Sequence, residues 1–137
     1  MPVFPSSAWI DAFCQQLAAQ PRAGSAARVL GGVYQFVVDP AGPLPDQHVY
    51  AVSLAVRNGE ADVARVDPES PSRVGVRTDY ERWQQLLLGR LDLGRAMLLG
   101  RIRISGDLGA LLNAQSDLHV LVDALRAVDT VWLEARA

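Results

Sequence analysis

Four arginines and four glycines are interleaved through Gly89–Asp107, GRLDLGRAMLLGRIRISGD. Glycines beside cations are the raw material of a phosphate cradle, because backbone N–H groups without a nearby Cβ can close on an anion. The spacing does not suit one. Gly89, Gly94, Gly100 and Gly106 are separated by four, five and five residues, which fits neither the dinucleotide fingerprint nor the nucleotide-binding loop. The chain also has no Lys to reach a phosphate. These glycines fall where elements should end, so they read as helix stops and strand bulges. Gly94 is the exception: it sits inside a short helix, either to allow close packing or to loosen a pocket lid.

Other candidates for chemistry are equally sparse. His48 and His119 each lack a second His, Cys or carboxylate at metal-ligand spacing, so no metal site is expected. Asp117, His119 and Asp123 lie near one another on the last helix, where Asp123 points to the polar face and a solvated pair is the expectation. Cys14 falls beside Phe13 and Leu17 on the apolar side of the first helix and is read as a buried, inert thiol. Ser105 precedes Gly-Asp at a strand end, not at a strained nucleophile elbow. Nothing here assembles a catalytic constellation or calls for a cofactor, and the protein is not expected to be an enzyme.

The 137 residues make one ordinary domain, 1–137, with half of them apolar and a fifth charged. A net charge of −2 argues against a nucleic-acid partner. All 13 cations are Arg, the mark of a GC-rich genome, which points to a bacterium. The lone cysteine suits a reducing compartment, and no secretory signal or apolar run long enough to span a bilayer is present. The expected location is therefore the cytoplasm, without an integral membrane segment, although transient membrane contact is compatible with it.

Elements follow from periodicity. Ser7 is read as the cap of a helix carrying Trp9, Phe13 and Leu17 on one face, stopped by Pro21 and Gly24. RVLGGVYQFVVD reads as a strand with Tyr34, Phe36 and Val38 together. Pro40–Gln47 is a loop, and Asn58-Gly59 turns a hairpin between HVYAVSLAVR and EADVARVD. SRVGVRTD is a fourth strand, and Thr78 with Glu81 forms a capping-box pattern for a helix through Trp83, Leu86 and Leu87 to Gly89. A short helix spans Asp92 to Leu99, RIRIS alternates as a fifth strand, and Asp107 caps a helix carrying Leu108, Leu111 and Leu112. Ser116 or Asp117 caps a last one striped by Leu118, Leu121, Val122, Leu125 and Val128. Five strands and about five helices give an α+β domain.

Apolar residues are unusually dense on the short helices between Trp83 and Leu112. They either fill the core or, because short helices pack imperfectly, leave a cavity for a ligand. At this point a family pattern appears. DYERWQQLLLGRLDLGRAMLLGRIRISGDLGALL resembles the core of the sterol carrier protein type 2 family, and GRIRISGD (Gly100 to Asp107) fits its Gly-basic-Ile-basic-Ile-x-Gly-Asp stretch. YAVSLAVRNGEADVARV resembles the family's second and third strands, and SAWIDAFCQQLAAQ its opening helix.

The resemblance implies a five-stranded, mostly antiparallel sheet covered by helices, with a hydrophobic pocket between them. It also implies noncatalytic binding of a fatty acid, acyl-CoA, phospholipid, isoprenoid or sterol, the last being an improbable ligand in a bacterium. The chain ends LEARA, without the peroxisomal targeting tripeptide of many relatives, and resembles a freestanding member. The expected lining is Trp83, Leu86, Leu87, Met97, Leu98 and Leu112 from helices, with Phe36, Val52, Leu54 and Ile104 from strands. Arg90, Arg95 and Arg101 are candidates for an anionic headgroup at the mouth, against the alternative of a solvated surface. A second reading makes the domain an accessory or scaffold subunit, as a homodimer or with a partner enzyme, for example in quinone or lipid metabolism.

Overall fold

A computed structural model describes residues 1–134. The final Ala135-Arg136-Ala137, on which the targeting expectation turns, lies outside the described residues. The elements run α1 (Ser7–Ala19), α2 (Ala23–Leu30), β1 (Gly32–Asp39), β2 (His48–Arg57), β3 (Glu60–Val66), β4 (Val74–Asp79), α3 (Tyr80–Leu87), α4 (Leu93–Leu98), β5 (Arg103–Gly106), α5 (Leu108–Asn113) and α6 (Gln115–Ala127). The five strands form one sheet in the order β3-β2-β1-β4-β5. Three of its pairings are antiparallel; the central β1–β4 pair is parallel.

Register decides which side chains share a face, because directly paired residues point the same way. Tyr34 pairs with Val52 and Val74, Phe36 with Val76, and Val76 with Ile104. One sheet face therefore carries Tyr34, Phe36, Val38, Val52, Leu54, Val74, Val76 and Ile104, and the helices cover it. An aromatic cluster joins the layers: Phe13 meets Phe36 at a centroid distance of 5.8 Å, Phe36 meets Trp83 at 5.9 Å, and Phe4 meets Trp9 at 4.9 Å. Edge-on pairs of this kind add ~1 kcal/mol each to the area they bury. Both buried indoles keep a partner, Trp9 donating to Thr130 Oγ1 at 2.9 Å and Trp83 to the Val37 carbonyl at 2.9 Å.

Several sequence-based expectations are corrected at the element ends. A sixth helix, α2, occupies Ala23–Leu30, where a loop and the start of a strand are expected. Its Ala23, Ala26, Ala27 and Leu30 are all buried, so tertiary burial of one face outweighs Gly24 and the short length. The cap of α1 is Ser6, whose hydroxyl accepts the Trp9 N–H at 3.1 Å, and not Ser7. Asp79 caps α3 by accepting the Arg82 N–H at 2.9 Å. Thr78 is inside, donating to the Arg101 carbonyl at 2.9 Å, so the capping box does not form. Neither Ser116 nor Asp117 caps α6, which starts one residue after the single break at Ala114. Asp92 and Asp107 cap α4 and α5 through the N–H groups of Arg95 and Ala110. Gly89, Gly100 and Gly106 all adopt positive φ at element ends, as punctuation requires.

Candidate functional site

Two adjacent spaces lie between the sheet and the later helices. The inner one, about 40 Å³, is walled by Tyr34 and Phe36 of β1, Val74 and Val76 of β4, and Ile104 of β5 on the sheet side. Phe13, Trp83, Leu86, Leu93 and Leu111 close it from α1, α3, α4 and α5, and α6 contributes Leu118, Leu121, Val122 and Leu125. Among the described residues no free polar group reaches it. The Tyr34 hydroxyl is spent on the Leu30 carbonyl at 2.6 Å, and burial pushes it up to about 12, so it stays a neutral donor. Trp83 is spent on Val37. Water gains nothing in such a space, whereas hydrocarbon does.

The outer space, about 380 Å³, opens between α4, α5 and α6. That size is in the ordinary range for a small-molecule site, about 300–1,000 Å³. Met97, Leu98, Leu108 and Leu112 form its apolar lip, and Asp92, Gln115, His119 and Arg126 supply polar groups. Leu93, Leu111, Leu118 and Val122 line both spaces, so these four side chains are the partition between them. At about 40 Å³ the inner space is little larger than one water's share of liquid volume, so a chain enters only if the partition turns aside.

The expected lining residues divide into three groups. Phe36, Trp83, Leu86 and Ile104 wall the inner space. Met97, Leu98 and Leu112 belong to the outer one. Val52, Leu54 and Leu87 line neither: they are buried core residues, the first two at 2% exposure on β2, the strand that α1 and α2 cover. The physical reason is the strand order, which puts β2 beyond β1, on the far side from β4 and β5. Sequence reasoning missed Leu93, Leu111, Leu118 and Val122 as a partition. The α6 stripe is legible as apolar, but what it faces depends on how α6 packs among α1, α2, α3 and α5.

Arg90, Arg95 and Arg101 do come together. With Asp92, Leu99 and Arg126 they line a separate polar groove of about 470 Å³ on the other side of α4. Asp92 and Arg126 border both this groove and the outer space. Arg126 is anchored there: Nε donates to the Leu86 carbonyl at 3.0 Å and Nη2 to that of Leu91 at 3.3 Å, tying α6 to the end of α3. It was not expected from sequence, where a last-turn arginine reads only as a helix-dipole partner.

The other reactive types are dispersed. Cys14 is buried and its thiol is pushed up to about 11, first by burial and then by Asp11, which leaves it a poor nucleophile. His48 Nδ1 lies 2.9 Å from the Tyr50 hydroxyl on β2. His119 is exposed at the outer lip rather than grouped with Asp117 and Asp123 around a metal; among the described residues no three potential ligands cluster. Ser105 alternates with Ile104 and so lies on the opposite face of the sheet from the cavity.

Comparison with solved structures places this geometry. A conserved Thermus thermophilus protein described as a candidate sterol carrier protein superposes with a TM-score of 0.71 at 25% identity, over 92% of this chain and 90% of its own. A crystal structure of sterol carrier protein 2 gives 0.69 at 26% identity, over 90% and 97%. A ubiquinone-synthesis protein with an SCP2 domain shares the fold at 0.53 and 16% identity, over 90% and 93%. Among curated proteins none matches in sequence. The sequence model of the SCP-2 sterol transfer family matches residues 10–118, from the first turns of α1 to the partition residue Leu118. With sheet order, helical cover and sequence pattern in agreement over most of its length, the chain belongs to the SCP-2 sterol transfer family.

Proposed function

We propose that this protein is a noncatalytic cytoplasmic carrier for one hydrophobic molecule with a polar end: a fatty acid, acyl-CoA, phospholipid or isoprenoid. The observation that carries this reading is the inner cavity walled by apolar side chains and separated, only by Leu93, Leu111, Leu118 and Val122, from an outer space whose polar groups stand at its rim. The hydrocarbon lies in the outer space and reaches the inner one as those four side chains turn aside, while the polar end stays near Gln115, His119 and Arg126. Arg90, Arg95 and Arg101 extend the cationic field around the edge of α4 toward a larger anionic headgroup. Taking about 200 Å² of hydrocarbon out of water supplies ~5 kcal/mol, enough to hold a chain without any specific polar contact.

Native mass spectrometry of freshly purified protein, with displacement of a fluorescent fatty acid, tests the proposal. The expected result is a copurifying lipid and saturable uptake that Leu118→Trp reduces at least ten-fold while the fold persists. Absence of both lipid and uptake overturns it. The accessory-subunit reading predicts instead a ligand-free protein that a pull-down from its host returns with one stoichiometric enzyme.

A further inference from the structure

The surface around α4 combines two features: protruding leucines and a concentration of arginine. Leu98 is 90% exposed and Leu99 56%. Leu98 stands with Leu108 and Leu112 at the rim of the outer space, and Leu99 stands with Arg90, Arg95 and Arg101 in the basic groove. The two leucines thus form a crest between an apolar mouth and a cationic hollow. Residues 88–104 contain four of the 13 arginines and one of the 15 acidic residues, so this segment carries +3 while the rest of the chain carries −5. The single acid, Asp92, is engaged in capping α4.

We infer that this crest is a docking surface for an anionic lipid bilayer, with Leu98 and Leu99 entering the headgroup layer and Arg90, Arg95 and Arg101 meeting lipid phosphates. Charge chooses the occupant. An anionic surface is complementary to the arginines, which long-range attraction then orients against a chain that is otherwise negative. A second copy of the protein would set one arginine groove against another. A protein partner needs roughly 800 Å² of fitted surface, which the six residues of α4 and their projecting side chains do not offer. Two exposed leucines instead gain most from a deformable apolar medium. Docked this way, the mouth lined by Leu98 and Met97 opens toward the bilayer. That consequence rests on the carrier reading, but the docking can be measured without it.

Flotation with vesicles separates the outcomes. The intact protein should float with phosphatidylcholine vesicles containing phosphatidylglycerol, release as salt rises, and stay behind with phosphatidylcholine alone. R95S and R101S should each weaken binding about five-fold, the loss expected for one arginine near an anionic surface. L99E should abolish flotation. Leu99 lines neither lipid space, so L99E should still take up a fluorescent fatty acid from solution, which also reports that it folds. R57S, at the end of β2, should float like the parent. Failure to float with anionic vesicles, equal flotation with neutral ones, or undiminished flotation of L99E would each overturn the docking. So would leucine-dependent self-association of the parent protein in place of vesicle binding. Uptake without docking would leave the carrier reading intact, and docking without uptake would refute that reading alone.

Discussion

The helical layer is built differently over the two halves of the sheet. Over β2 and β3, α1 and α2 are long enough to present continuous apolar faces, and Trp9, Phe13, Leu17, Ala26 and Leu30 are essentially excluded from solvent there. Over β4 and β5 the cover includes α4 and α5, six residues each. Ala96 is the one fully buried residue that α4 supplies, and Leu111 the one that α5 supplies. A helix of under two turns cannot fill the groove on both of its sides, so packing over this half is completed only partly, by α6. The cavities lie on that side. The difference teaches that the pocket is less a carved site than an unfinished core, left open where the elements are too short to close it.

The contrast predicts unequal responses to mutation. The largest effect belongs to the closed half: Trp9→Ala should cost ~3–5 kcal/mol in urea denaturation, from lost burial and from loss of the hydrogen bond that its indole donates to the Thr130 hydroxyl. A loss below ~1 kcal/mol would mean that the two halves are equally loose and would break the comparison. Next comes a limit on how loose the open half is. Gly106 has φ +89°, and a Cβ there would lie 2.1 Å from the Arg73 carbonyl oxygen. Gly106→Ala should therefore destabilise by at least ~1–3 kcal/mol, showing that the open half is permissive in side chains but fixed in backbone at its strand end.

The dry interior of the closed half can be read from titration. The Cys14 thiol is protonated up to about 11 in the folded protein, against 9.0 unperturbed. Between those values the folded state holds a proton that the unfolded state has lost, so stability falls as pH rises through this window. The Tyr34 hydroxyl extends the decline toward its own value of about 12. Cys14→Ala should flatten the first part of the slope in denaturation midpoints measured from about pH 8.5 upward; an unchanged slope would place the thiol in a wet site. The smallest effect is a gain. A Cβ on Gly94 would meet nothing closer than Asp92 Oδ2 at 3.5 Å, so close packing is not what this glycine serves. Gly94→Ala should stabilise α4 by ~0.5–1 kcal/mol and slow fatty-acid exchange in stopped-flow displacement, if the weak helix is the movable lip.

Much of the fold was legible because it is local. Alternation marks the strands, Asn58-Gly59 adopts the positive φ values of a two-residue turn (53° and 80°), and Asp107 caps its helix as read. What escaped has a common cause. The cap at Ser6 rather than Ser7, and at Asp79 rather than Thr78, differs by one residue because neighbouring side chains compete for the same orphan N–H groups. The α2 helix is stabilised by the sheet beneath it, and no window of its own residues announces that.

The candidate site divides along the same line. Sequence by itself determined the alternating faces of the strands, the breaks between elements and the excess of apolar residues on short helices, since each follows from the chemistry of adjacent residues. It also determined the segment's charge, and the ordered motifs that mark the family. Only the tertiary structure decided that Phe36 and Ile104 face a space while Val52 and Leu54 face packed helices, although all four share one sheet face. Strand order made that choice, by putting β2 and β4 on opposite sides of β1 under helices of unequal length. A cavity is the volume that neighbours fail to fill, and those neighbours are brought together by long-range packing rather than by any stretch of the chain.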